Sequence, residues 1–499
     1  MGFMPSSVYF TGIKGTGVCA LAELMHNCGV KVCGSDTCEV FYTDRILKEL
    51  DITYYEDFDA SRINSSFDMV IHSAAYSPDT NPELARAVKL NIPVLKYSDA
   101  LGEWSAKFDS TGICGVHGKT TTTAICGALA RAAGIPAQIL AGSAVPDFNG
   151  RSTLNLGNKY FIAETCEYRR HFLSFHPRRI ILTSVESDHQ DYFPGYESIR
   201  DAFVEYCRLL PEGGHLIYCA DDAGASEVAR IIESGKRGIK LVPYGFTAEG
   251  RYKIVSYNTG GGRAVFKIAG FCGAGGGGDS PCEFKMRIPG RHEALNAAAA
   301  LALVSLLSEN EKGRSSDSAC PLDESQIQSV KNALENFRGA KRRSEIIGEA
   351  GGILFMDDYG HHPTAIASTL DGIKSFYPGR RLVASFMSHT YTRTSALLDE
   401  FASCFTSADV LFLHKIYASA RENYKGGVNG RTLYEKTAQK NLGKDTRYAE
   451  EPDDAFSPLC DILKPGDIFL TLGAGNNWPL CEKLFGHFRD IDKKNGVSV

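Results

Sequence analysis

The stretch GVHGKTTTT, Gly115 to Thr123, stands between the strand-like TGIC of 111–114 and the helical AICGALARAA of 124–133. A strand, a tight glycine turn and a helix start are what an anionic phosphate needs. Free backbone amides at the helix N-terminus point at the anion, Lys119 adds a positive charge, and the Thr120 hydroxyl can reach Mg²⁺. The longer GxxxxGK[ST] pattern is not met, because Ile113 occupies its first glycine position; the shorter GxxGKT form is. Gly115, Val116, His117, Gly118, Lys119, Thr120 and Thr121 are therefore the candidate phosphate-binding residues, against the plainer alternative of a threonine-rich helix start.

On both sides of this loop, short β-branched runs alternate with longer segments of helical period. That pattern argues for an α/β protein whose parallel sheets are covered by helices. The 499 residues suggest about three hydrophobic cores, and three blocks separate: 1–108, 109–336 and 337–499. The first carries VYFTGI (Val8 to Ile13), KVCGSD (Lys31 to Asp36) and DMVIHSAA (Asp68 to Ala75) as strands, and the third GGILFMDDY, RRLVASF, DVLFLHKIY and DIFLTLGAG. Gly270 to Ser280 and Glu309 to Cys320 are low in apolar content and read as surface loops.

A formal net charge of -5, with both signs interspersed, excludes the basic footprint that nucleic acid or an anionic membrane surface would require. No run of about 18 apolar residues is present, and the start MGFMPSSVYFTGIKGTG lacks the basic end and apolar stretch of a signal peptide. The 15 cysteines are scattered without paired CxxC spacings, which fits reduced, buried thiols in a cytoplasmic protein better than zinc ligands.

In a doubly wound sheet, ligands bind outside the carboxyl ends of the strands. The strand-like KYFIAE ends at Glu164, and RRIILTSVESDHQDYF ends its strand just before Glu186, Asp188 and His189, so these polar groups should face the crevice of the phosphate loop. Glu164 and His189 become candidate metal ligands. His292 and Asn296 stand four apart, on one face of a helix opened by IPGR. In the third block, MDDYGHHP puts Asp357, Asp358, Tyr359, His361 and His362 at one strand end, and MSHTYTRT is expected to put His389 and Arg393 at a neighbouring one, an anion and amine site.

At the N-terminus, GIKGTG departs from the GxGxxG dinucleotide fingerprint at Lys14, but Asp36 follows Gly12 by 24 residues, where a carboxylate commonly meets a ribose. A nicotinamide-dependent dehydrogenase is the rival that this block suggests, and the failed fingerprint together with the phosphate loop argues against it.

Taken in order, GIKGTG, SAAYSPDTNPE, GVHGKTTTT, SVESDHQDYF, GRHEALN, DDYGHHPT, SHTYTRT, KIYASARE and LGAGNNW resemble the Mur ligase family over essentially the whole chain. The resemblance implies a Rossmann-like UDP-binding domain, a central P-loop ATPase domain and a Rossmann-like C-terminal domain that closes on it. It implies ATP and Mg²⁺ as cofactors and UDP-N-acetylmuramate and L-alanine as partners, joined through an acyl phosphate. By the same resemblance Lys119 binds ATP phosphates, Thr120 and Glu164 hold one Mg²⁺, and His189 contacts a second. His292 and Asn296 lie at the adenine, and Arg343 rather than Arg342 reaches the nucleotide with Asp358. Gly12, Gly15, Thr16 and Gly17, with Asp36 and Ser73, hold the UDP part, and Tyr359, His361, His389 and Arg393 lie on the alanine side. His361 is preferred as the base for the amine and Asp358 as a positioning group.

Four positions depart from the family pattern. Cys166 replaces an aspartate, Glu293 an asparagine and Thr390 an arginine, while Lys14 replaces a glycine and is expected to add a cationic contact to the UDP phosphates. A sister ligase that adds a recycled tripeptide has a longer stretch between its glutamate and the DH motif; here Glu164 and His189 are 25 apart, which favours alanine. A catalytically silent nucleotide-binding relative is the remaining alternative.

Overall fold

Val8, Tyr9 and Phe10 are all buried in the first strand, Ser7–Thr11, as a strand covered on both faces requires. In the computed structural model, which describes residues 4–235, 238–271, 281–313, 322–418, 422 and 426–496, this strand is the centre of a five-stranded parallel sheet. Its spatial order is Thr53–Tyr55, Lys31–Ser35, Ser7–Thr11, Met69–His72, Val94–Lys96. Chain direction across the sheet reverses at Ser7–Thr11, so the Gly12 turn that follows it lies at a topological switch point.

The second sheet has ten strands, and the same logic places its loop. Asp109–Cys114 lies between Tyr160–Glu164 and Arg179–Leu182, parallel to both. Ala137–Val145 continues on the first side, while His215–Cys219 and Lys240–Gly245 continue on the other. Gly115 therefore begins its turn at the switch point, and Lys119–Ala133 runs back as a helix with Ala124, Ile125, Cys126 and Leu129 buried. Arg179–Leu182 ends four residues before Glu186, earlier than the sequence suggests, because Thr183 to Val185 lie outside the ladder and wrap the phosphate loop. Tyr252–Gly260, Arg263–Ile268 and Cys282–Met286 extend the sheet as an antiparallel meander.

The third sheet runs Glu345–Ala350, Ile353–Asp358, Ile468–Leu472, Leu382–Phe386, Val410–Leu413, Asp445–Tyr448, and only the first is antiparallel. This corrects one expectation. The DDY and SHTYTR strand ends are not neighbours, because the chain's last strand is inserted between them. The loop after that strand bridges the gap, with Gly473 N donating to Asp358 O at 3.0 Å and Met387 N to Leu472 O at 3.1 Å.

Apolar packing does not follow three separate cores. One buried cluster runs from Phe10 and Leu21 through Trp104 to Cys114, Phe161, Leu182 and Phe203, joining the first two sheets, whereas the third sheet keeps clusters of its own. Polar contacts join that third unit to the rest, among them Lys341 N to Ala144 O at 2.8 Å and Ser368 Oγ with His292 Nδ1 at 2.8 Å. Such an interface is suited to relative motion.

No helix among the described residues is long and apolar enough to cross a membrane. Twelve described cysteines are free thiols, but not all are buried as expected, since Cys38 and Cys166 are exposed, and Cys282 is disulfide-bonded. The two expected low-complexity loops fall largely outside the described residues.

Candidate active site

Gly118 caps the Lys119–Ala133 helix with φ 78°, and a Cβ there would stand 2.6 Å from Asn296 Oδ1, so only glycine fits. The loop is braced from behind. His117 N donates to Ser184 Oγ at 2.9 Å, Thr183 Oγ1 donates to Cys114 O at 3.1 Å, and Thr122 Oγ1 donates to Asn296 Oδ1 at 3.1 Å. Asn296 is thus buried beneath the loop, donating to Glu293 Oε2 at 3.1 Å, and His292 Nε2 lies 3.4 Å from Glu293 Oε1. Glu293, a departure from the family pattern, ties these two candidates together.

Lys119 Nζ lies 3.1 Å from both oxygens of Glu167 and also donates to the carbonyls of Gly115 and Val116. Glu167 is buried, and its Oε1 is 3.4 Å from His189 Nε2. Burial pushes the Glu167 carboxyl up, but the Lys119 ammonium and the His189 hydrogen bond outweigh it and hold it below its ordinary range. Burial likewise works against the Lys119 ammonium, and the charge of Glu167 more than restores it. Glu167 Oε2 is buried and meets the Lys119 ammonium as an ion pair. A buried acceptor beside an ammonium, a helix N-terminus, the Thr120 hydroxyl and the Glu164 carboxylate form a donor set that fits a nucleoside triphosphate with Mg²⁺. Of the three expected metal ligands, Thr120 starts the helix, Glu164 ends its strand with Oε2 accepting from Gly142 N at 2.8 Å, and His189 stands beside Glu167 with left-handed backbone, φ 53°.

A cavity of about 250 Å³ joins this region to the first sheet, lined by Thr16, Gly17, Tyr97, Glu164, Cys166 and Phe172 among others. Gly12 has φ 82°, and a Cβ there would stand 2.8 Å from Ser73 Cβ, which explains the glycine. Asp36 accepts from Lys14 N at 2.7 Å and from Thr37 N at 2.8 Å, so the acid shapes the turn that Gly12, Gly15, Thr16 and Gly17 form. Lys14 corrects a second expectation. Its side chain is fully buried, 3.1 Å from Asp44 and 2.9 Å from Glu56, and its ammonium donates to the carbonyls of Thr37 and Glu39. Nearby carboxylates off the glycine turn draw the charge inward, so the ammonium is engaged by protein groups.

The third sheet contributes from across the interface. Arg393 Nε donates to Asp188 Oδ1 at 2.8 Å, with both side chains buried, and Arg393 Nη1 donates to His389 O at 2.5 Å. Burial raises the Asp188 carboxyl, but the Arg393 guanidinium, with His189, overturns this and leaves it far below the ordinary range. His361 lies 4.0 Å from Asp188, and burial followed by Arg393 pushes its pKa well down, so the imidazole is neutral. Burial and Arg393 lower His389 too.

Asp358 accepts from Ser344 N and from Gly360 N, both at 2.7 Å. Both oxygens are therefore spent on backbone, a holding task. Arg342 is engaged by Asp357 at 2.9 Å and Gly473 O at 2.8 Å, while the Arg343 guanidinium rests over Tyr359 at 5.0 Å with no ion pair among the described residues. Thr390 caps its short helix through the Arg393 amide.

The sequence placed Glu186, Asp188 and His362 near this region without assigning them a task, and it did not single out Glu167. Glu186 accepts from Thr364 Oγ1 at 2.8 Å and faces His117 and His362; burial raises its carboxyl, and His117, Thr364 and His362 bring it down to about 2. The signal that could have found Glu167 is its position three residues beyond Glu164, at the end of the strand beside the phosphate loop.

Comparison with known proteins agrees with this arrangement along the chain. Residues 7–109 match the Mur ligase family catalytic domain, 113–304 the Mur ligase middle domain and 342–475 the Mur ligase glutamate ligase domain. The chain is 47% identical to the UDP-N-acetylmuramate--L-alanine ligase of Treponema pallidum (strain Nichols) over 97% of both chains. With the enzyme of that name from Borreliella afzelii (strain PKo) it shares 38% identity, covering 96% of this chain and 98% of the other. The crystal structure of the UDP-N-acetylmuramate-alanine ligase MurC from Thermotoga maritima has the same fold, with a TM-score of 0.71 at 23% identity, covering 97% of this chain and 99% of that one. With three consecutive domain matches and near full-length relatives, this chain belongs to the Mur ligase family.

Proposed function

We propose that the protein is an ATP- and Mg²⁺-dependent ligase of the cytoplasm that joins L-alanine to the lactyl carboxylate of UDP-N-acetylmuramate, releasing ADP and phosphate, in peptidoglycan precursor synthesis. The observation that carries this reading is the cavity lined both by Thr16 and Gly17, which follow the glycine turn of the first sheet, and by Glu164. It gives a UDP-linked acid held at the first sheet a route to a phosphoryl group held at the second. Two relatives, at 47% and 38% identity and named for this substrate pair, supply the chemistry. In this reading the functional units are 1–108 for UDP, 109–336 for ATP and 337–499 for closure and the amine.

A carboxylate cannot be aminated directly, because oxide is too poor a leaving group. Phosphorylation by ATP makes an acyl phosphate, from which the amine expels phosphate. Lys119 neutralises charge on the transferring phosphoryl group, held in place by Glu167. Thr120, Glu164 and His189 are the residues that would hold magnesium, which when bound supplies further charge neutralisation on the phosphates. Neutral His361 accepts the proton of the attacking amine, and Asp188 stabilises the imidazolium that results. Asp358 positions the segment that carries Tyr359 and His361, while Arg343 reaches the nucleotide. Gly12, Gly15, Thr16, Gly17, Asp36 and Ser73 hold the UDP part.

The test uses UDP-N-acetylmuramate labelled with ¹⁸O in its carboxylate. Phosphate carrying one ¹⁸O is the expected product, formed only with L-alanine present. Unlabelled phosphate would rule the acyl phosphate out.

A further inference from the structure

His117 of the phosphate loop, Glu186 of the central sheet and His362 of the third sheet meet at the domain interface, each offering a ligand atom within 4.8 Å of the others. Glu186 bridges the pair, with Oε1 3.6 Å from His117 Nε2 and Oε2 3.7 Å from His362 Nδ1. Hydrogen bonds between such atoms are shorter, roughly 2.7–3.2 Å. Two ligands each about 2.0–2.1 Å from a tetrahedral ion stand roughly 3.3–3.5 Å apart, close to what is seen.

A second observation is independent of that spacing. His117 Nε2, the atom that faces Glu186, is buried without a hydrogen-bond partner among the described residues, which is costly for a polar atom unless something binds it. The ligands are also oriented from outside, as metal ligands commonly are: Thr364 Oγ1 holds Glu186 at 2.8 Å, and Ser184 Oγ fixes the His117 backbone at 2.9 Å.

We propose that His117, Glu186 and His362 form a site for a divalent transition ion of the Zn²⁺ class, tying the phosphate loop to the C-terminal domain. Two imidazoles and one carboxylate, with a fourth position open, suit that class. Mg²⁺ prefers about six oxygen ligands. The set shares no residue with Thr120, Glu164 and His189, and it does not depend on the ligase reading. An ion here spans two domains and holds the loop that ATP must enter.

Co²⁺ is the probe, titrated into the full chain without nucleotide and followed by optical absorption. His362→Asn and Glu186→Gln are the variants; asparagine keeps the side-chain acceptor that caps the following helix at Thr364 N. The expected result is a single Co²⁺ per chain with ligand-field bands, no thiolate charge-transfer band, displacement by Zn²⁺ but not by Mg²⁺, and about tenfold or greater loss of affinity in each variant. Absence of those bands, a thiolate band accounting for all bound cobalt, or unchanged affinity in both variants would overturn the site.

Discussion

Arg393 Nε lies 2.8 Å from Asp188 Oδ1, joining the short Tyr391–Ala396 helix of the third sheet to the loop beyond Arg179–Leu182 in the second. Both side chains are buried, and 205 residues separate them along the chain. Removing one partner leaves the other as an unpaired charge, at a cost of up to about 3–5 kcal/mol. Arg393→Ala should therefore lower stability in urea, and Asp188→Asn should partly suppress the loss when the two are combined.

The same pair has a pH signature. Because the folded Asp188 carboxyl is held below its unfolded value, its stabilisation is fully present above the ordinary carboxylate range and is lost as pH falls towards the folded value. Acid unfolding of Arg393→Ala should accordingly show a weaker dependence on pH below about 4 than the parent does. Equal slopes would mean that the pair contributes nothing in solution.

His361 is neutral because burial and Arg393 both oppose its imidazolium. Removing the cation should raise its pKa, so the acid limb of kcat/KM moves to higher pH in Arg393→Gln and stays in place in Arg393→Lys. An acid limb indifferent to charge at 393 would take the proton-accepting task away from His361.

Glu167 holds Lys119 and His189 at once. Glu167→Gln should preserve the fold, by circular dichroism, while lowering kcat about 10–100-fold. A kcat within twofold of the parent would reduce Glu167 to a structural role.

Gly118→Ala should be more damaging to nucleotide binding than to folding. It forces a side chain into left-handed backbone, at about 1–2 kcal/mol, and towards Asn296 Oδ1. ATP affinity, measured by calorimetry, should fall at least about tenfold. Asn296→Ala in the same chain removes the clash but not the backbone strain, so rescue should be partial.

The phosphate loop was legible in sequence because everything that makes it is local: a strand, two glycines, Lys119 and a helix. The candidates at strand ends were also legible in kind, since parallel sheets present their loops on one edge. Their pairing was not. Ile468–Leu472 separates the DDY and SHTYTR strands, and sheet order is set by packing that no local pattern encodes. Lys14 turns inward because Asp44 and Glu56, 30 and 42 residues further on, fold beneath it. Asn296 sits under the loop, 174 residues from Thr122, for a like reason. Distant ion pairs decide the electrostatics of the site, and sequence spacing does not report them.

The central claim is that this chain phosphorylates a UDP-linked carboxylate in order to join it to L-alanine. Phosphate release from Mg-ATP with UDP-N-acetylmuramate, offered L-alanine, L-serine, glycine or L-Ala-D-Glu-meso-diaminopimelate in parallel, with Lys119→Ala as control, tests it most directly. The account predicts release that depends on L-alanine and vanishes in the control. Dependence on the tripeptide, or silence with every acceptor, would contradict it.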